Sequence, residues 1–107
     1  MREKEIEKKL ILEVKKRGGI CPKWNSPGFD GVPDRIVLLP NMKIGFVEVK
    51  TPGEKPRPLQ VARHKQLRKL GFQVHVLDDE KQIGDVLNEI SVSTTCISAI
   101  RHRVHKE

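Results

Sequence analysis

The residues Gly31-Val32-Pro33-Asp34-Arg35, an apolar run, and then Phe46-Val47-Glu48-Val49-Lys50 decide how this chain folds. Proline at position 33 halts one element and fixes the entry angle of the next, so Asp34 opens a strand. Ile36 to Leu39 is an unbroken apolar run, suited to a covered position in a sheet. Pro40-Asn41 marks the turn, and Ile44 to Lys50 is the returning strand. Side chains alternate along a strand, so Glu48 and Lys50 share one side, and a hairpin of this length can return them to Asp34. Two carboxylates and an ammonium gathered at one point suit a hard divalent cation and an attacked phosphodiester. Asp34 and Glu48 are the candidate carboxylate ligands, with the main-chain carbonyl of Val49 as a third. Lys50 is placed to orient the attacking water, to help hold it deprotonated, or to balance charge developing on the phosphate.

Outward from the hairpin, residues 3–17 have the period of an amphipathic helix ended by Gly18-Gly19. Ile6, Leu10, Ile11 and Val14 form its apolar stripe. Glu3 and Glu7 fall inside that arc, while Glu5 and Glu13 lie outside it or at its edge. A first-turn acid such as Glu3 is explained by the helix dipole alone. Glu7 is not, and an inward Glu7 could accept a hydrogen bond from a metal-bound water or hold a second ion. Residues 20–24 read as a short strand and 25–31 as a loop rich in breakers. The prolines and glycine of 51–58 make a second exposed loop.

Leu59 to Leu70 reads as a helix ended by Gly71, with Leu59, Leu67 and Leu70 as its apolar side. Gln60 and His64 project beside that side. Gln60 is a candidate to orient water or touch the scissile phosphate, and His64 to flank the groove. Phe72 to Leu77 alternates as a strand. Asp78 or Asp79 can cap a last helix in which Ile83, Val86, Leu87 and Ile90 recur at helical spacing. The order α-β-β-β-α-β-α describes one α/β domain over residues 1–90, and 91–107 read as a loosely ordered basic tail.

With 107 residues, the chain has room for one small domain around a thin core, which makes dimerisation attractive as additional burial. Its net charge of +7 points to a polyanionic partner, nucleic acid first. Aromatic residues are only 4%, so backbone and shape recognition is expected rather than a platform that stacks successive bases. Arg57, Arg63, Lys65, Arg68 and Lys69 give the second helix and its approach a basic outer side, and Arg35 adds a cation beside Asp34. These are the candidate phosphate contacts. Cys21 and Cys96 make no disulfide framework and read as reduced, at least one of them buried; no Cys/His spacing suggests zinc. His75, His102 and His105 read as surface residues, and Trp24 and Met42 as packing residues. No apolar run approaches membrane length and no signal peptide is evident, so a cytoplasmic location is expected.

These motifs, in this order, resemble a stand-alone VRR-NUC domain of the PD-(D/E)XK nuclease superfamily. The resemblance runs from residue 3 to about 78 and is carried by Glu7, Gly18-Gly19, Gly31-Val32-Pro33-Asp34-Arg35, Phe46-Val47-Glu48-Val49-Lys50, Gln60 and Leu67-Arg68-Lys69-Leu70-Gly71-Phe72. It implies a restriction-endonuclease-like αβββαβ core, with a mixed central sheet flanked by helices, here followed by an extra C-terminal helix and tail. It also implies Mg2+- or Mn2+-dependent cleavage of DNA, with catalytic roles for Asp34, Glu48 and Lys50 supported by Gln60 and the first-helix acid, Glu7 or alternatively Glu3. Small stand-alone members resemble Holliday-junction resolvases, which implies a homodimer cutting branched DNA. The rival expectations are a nuclease acting on flaps or single strands, and a basic nucleic-acid-binding module without catalysis.

Overall fold

The hairpin forms as its sequence requires. In the computed structural model, which describes residues 2–92, strand β1 (Arg35–Leu39) pairs antiparallel with β2 (Lys43–Val49) in a register that sets Arg35 opposite Val47 and Leu39 opposite Lys43. The turn between them holds Asn41 and Met42 at positive φ, 66° and 62°. Met42 is therefore 78% exposed at the tip and is not the packing residue expected of it.

Helix α1 (Glu3–Lys16) precedes the hairpin, and helix α2 (Pro58–Lys69) follows it. Proline at the first position of α2 suits a site whose N–H needs no partner. At the other end Gly71 takes φ +98°, and Gly71 and Phe72 donate to the carbonyls of Arg68 and Leu67. That left-handed stop turns the chain directly into strand β3 (Gln73–Leu77), which pairs parallel with β2. A short 3-10 turn (Glu80–Gln82), capped by the Asp79 carboxylate on the Lys81 N–H, leads into α3 (Ile83–Val92).

The sheet is mixed and three-stranded, in the order β1-β2-β3. The expected strand over 20–24 is instead two isolated bridges to β1, Ile20 with Leu38 and Lys23 with Arg35. The reason lies in Pro22. Its carbonyl accepts from the Ile36 N–H, but it has no N–H to return, and the ladder is interrupted there. The segment still runs along the outer edge of β1.

Two apolar clusters hold the layers together, one on each face. Val37, Val47, Val49 and Leu77 pack against Ile6, Leu10 and Val14 of α1 and Leu87 and Ile90 of α3. On the opposite face Phe46, Leu67 and Val74 pack under α2, with Trp24, Ile36 and Phe72 around them. Trp24 and Phe46 have ring centroids 5.0 Å apart, so Trp24 does serve packing. β2 is the central strand and is buried from Gly45 to Lys50. The apolar α1/α3 face is the thicker core. The smaller α2 face leaves one end of the sheet for polar groups. From residue 93 onward the expected tail, with Cys96, His102 and His105, lies outside the described residues.

Candidate active site

Alternation along β2 sends Val47 and Val49 to the α1/α3 core, so Phe46, Glu48 and Lys50 face α2. Glu48 is 1% exposed and Lys50 8%, which is exceptional for charged residues and requires partners. Lys50 Nζ lies 3.3 Å from Glu48 Oε2. The Gln60 amide donates to the same oxygen at 2.9 Å. Its other end, Oε1, accepts the Arg57 N–H at 2.9 Å, which closes the first turn of α2. One side chain thus caps the helix and orients the carboxylate, and the cap fixes which end of the amide faces Glu48.

Asp34 precedes Arg35, so the hairpin register places it opposite Glu48. Its Oδ2 accepts the Val49 N–H at 2.9 Å, and its main-chain carbonyl accepts the Trp24 N–H. In an antiparallel strand the N–H and C=O of one residue point the same way, so the Val49 carbonyl is directed to the Asp34 side. Burial raises the Asp34 carboxyl from its ordinary 3.8 to about 6. The Val49 N–H works against that rise, the neighbouring carboxylates of Glu48 and Glu3 add to it, and the Lys50 ammonium reduces it.

The structure therefore brings together Asp34, Glu48, Lys50 and Gln60 from β1, β2 and α2, with the Val49 main chain between them. Glu7 is held elsewhere. Its Oε2 accepts from Arg35 Nε at 2.8 Å, and the Arg35 NH1 donates to the Cys21 carbonyl at 3.0 Å. Arg35 sits on the Val47 row and so faces α1, where Glu7 is its counter-ion and its guanidinium is turned inward. Of the two first-helix acids, Glu3 is the one whose charge is felt at Asp34.

The other basic candidates divide by position. Arg57, Lys65 and Lys69 are exposed. Arg63 donates to the Asp30 carbonyl at 2.7 Å and lies 3.8 Å over the Phe29 ring, bracing the loop beside the site. Arg68 donates to the Val74 carbonyl at the far end of α2. His75 is half-buried and bonded to Gln73, and burial lowers its pKa, so it is not the surface residue expected. The inward side of α2 also differs from expectation. Leu59 and Leu70 are 51% and 68% exposed, and the buried residues are His64 and Leu67. Sequence reasoning missed His64 as a buried neighbour of Glu48, although Gln60, His64 and Leu67 lie at i, i+4 and i+7.

The donor set fits a hard divalent cation. Glu48 Oε1 is buried with no hydrogen-bond partner among the described residues, and the Glu48 carboxylate helps raise Asp34. A cation held between two such acids would relieve both. No group of three or more His, Cys, Asp or Glu is assembled for a metal among the described residues; Mg2+ ordinarily takes one or two carboxylates, retained waters and substrate phosphates.

A mixed sheet with Asp34 and Glu48-Val49-Lys50 meeting at one end of its hairpin is the restriction-endonuclease-like core. No family model matches the sequence. The chain is 59% identical over 80 residues to "Putative nuclease p44" of Acyrthosiphon pisum secondary endosymbiont phage 1, covering 75% of this chain and 86% of that protein. It also superimposes on a solved structure described as a "VRR_NUC domain" with a TM-score of 0.77 and 32% identity, over 82% of this chain and 97% of the other. The chain belongs to the VRR_NUC family, a family of nucleases. No helix among its described residues is long and apolar enough to cross a membrane.

Proposed function

We propose that this protein is a divalent-metal-dependent DNA endonuclease that hydrolyses phosphodiester bonds in branched DNA such as a Holliday junction, acting inside the cell as a homodimer. The observation that carries the reading is the buried convergence of Glu48, Lys50 and Gln60 with Asp34 beside them. A charged pair held at 10% and 1% side-chain exposure is costly, and its position beside Asp34 at the end of the hairpin favours a chemical use over a structural one.

In this reading Asp34, Glu48 and the Val49 carbonyl hold Mg2+ or Mn2+, which when bound polarises the phosphate and lowers the pKa of a coordinated water. Glu3 on α1, whose charge reaches Asp34, is the stronger candidate for an accessory acid. Glu7 would need to leave Arg35 to take that part. Gln60 keeps the Glu48 carboxylate in one orientation through its bond to the helix cap. Lys50 Nζ donates to the attacking water or to the phosphate oxygen as charge builds there. Water adds to phosphorus, the P–O ester bond breaks, and the leaving oxygen takes a proton, giving a phosphate monoester and a hydroxyl. Arg57, Lys65 and Lys69 contact the phosphate backbone without reading bases, and the positive net charge supports that mode. Two copies related by a two-fold axis would cut symmetric strands of a junction in one encounter.

The test uses wild type and Lys50→Ala with a labelled four-way junction, linear duplex, flap and single strand, with and without Mg2+. Wild type should cut the junction in preference to the other substrates and only with metal. The variant should bind as before and cut at least about a hundredfold more slowly. Equal cutting by both proteins removes Lys50 from the mechanism, and binding without any cutting reduces the protein to a nucleic-acid-binding module.

A further inference from the structure

His64 lies under α2 with 2% of its surface exposed, beside a Glu48 that is 1% exposed. Its Nε2 faces Glu48 Oε1 at 3.8 Å, and neither atom has a hydrogen-bond partner among the described residues. Two complementary polar atoms buried side by side and both unpaired call for an explanation, and packing does not provide one. An apolar side chain would fill the same space without burying an unpaired Nε2. Nor is a ring this buried available to a phosphate in the groove. The helix places Gln60 and His64 one turn apart, so they address the two oxygens of one carboxylate, Gln60 at Oε2 and His64 at Oε1.

We propose that His64 is a positioning residue for Glu48: carrying its proton on Nε2, the imidazole closes onto Oε1 when the site is loaded and fixes the plane of the carboxylate. This rests on the nuclease reading and deepens it. With Lys50 and Gln60 on Oε2 and His64 on Oε1, the carboxylate cannot rotate about its last bond, and the one lone pair left for a cation, on Oε1, has a fixed direction. Outer partners of this kind set the affinity of a metal site without touching the metal.

The experiment compares wild type, His64→Gln, His64→Asn and His64→Leu by calorimetric titration with Mn2+, by cleavage of labelled branched DNA, and by thermal melting in EDTA. Leucine should weaken Mn2+ binding and lower kcat, each by about 10–100-fold, with KM for DNA unchanged. Glutamine, whose amide nitrogen reaches the Nε2 position, should restore most of both. Asparagine, whose amide is too short, should not. The contrast between the two amides holds even if the leucine variant fails to fold. Wild-type Mn2+ affinity and kcat in His64→Leu, with only a lower melting temperature, would make the residue a packing element and overturn the proposal. So would equal failure of the glutamine and asparagine variants, a nitrogen coupling in pulsed EPR of the Mn2+-loaded protein that shows direct ligation, or a wild type that binds no Mn2+. A wild type that binds Mn2+ and cuts no DNA defeats the nuclease reading alone, because the affinity series still decides the role of His64.

Discussion

Asp34→Asn should make the metal-free protein more stable while abolishing its use of metal. Burial and the neighbouring carboxylates raise the Asp34 carboxyl from 3.8 to about 6. Each pH unit of that rise corresponds to about 1.4 kcal/mol, an upper limit of about 3 kcal/mol against the charged form at neutral pH. The carboxyl is only about half buried, and solvent screening reduces this to roughly 1–1.5 kcal/mol. The sign follows from proton uptake. Between pH 3.8 and about 6 the native state binds a proton that the unfolded chain does not, so stability falls as pH rises through that window and stays low above it. Asparagine is neutral throughout and keeps an oxygen to accept the Val49 N–H. In EDTA near pH 7.5 the variant should therefore melt about 5 °C above wild type. Near pH 4 most of the difference should vanish. Saturating Mg2+ should reverse the order, since wild type alone gains about 2.7 kcal/mol at a hundredfold excess over its Kd. Thermal and urea unfolding at both pH values, with EDTA or Mg2+, reads all of this. An asparagine variant less stable than wild type in EDTA at pH 7.5, or equally advantaged at pH 4, would refute the reasoning.

Other substitutions separate the roles of neighbouring groups. Glu7→Ala leaves the Arg35 guanidinium without its counter-ion and should cost about 2–3 kcal/mol in urea unfolding. Glu3→Ala should change stability by less than about 0.5 kcal/mol and lower the Asp34 pKa, which carboxylate NMR would follow. Burial raises the Cys21 thiol to about 11, so iodoacetamide near pH 7.5 should spare Cys21 in the native protein and label it once the chain is unfolded; peptide mapping distinguishes it from Cys96. A Cβ at Gly45 would lie 2.6 Å from Ile90 Cδ1 and 2.7 Å from its Cγ1, so Gly45→Ala should push α3 off the sheet and cost about 1–3 kcal/mol.

The helices and the hairpin were legible because their apolar residues keep one period. Ile6, Leu10 and Val14 are buried on α1 as their spacing requires, and so are Ile83, Val86, Leu87 and Ile90 on α3. The inward side of α2 was not legible by that route. The helix lies over the polar site, so part of its covered stripe is Gln60 and His64, while Leu59 and the capping Leu70 remain outside. Residues 20–24 have strand-like composition, but Pro22 lacks the N–H that a continuous ladder needs. Glu3 and Glu7 share one helical arc and cannot be separated by period. What separates them is strand parity: Arg35 must face the side opposite Asp34, and it draws Glu7 to itself. His64 was expected only to flank the groove, since its importance lies in a buried oxygen that the folded chain alone places beside it.

The hairpin turn at 40–42 sits at the other end of the strands from the acids, yet its length governs their meeting. Arg35 faces Val47, and hence Asp34 faces Glu48, only because the number of residues between them matches on the two arms. Inserting one residue into a single arm would send Asp34 across the sheet to the Val47 row, whereas adding one to each arm would keep the acids in step. The spacing between these two carboxylates is thus a counting rule along the chain, and a natural or designed relative could lengthen this ribbon only by changing both arms together.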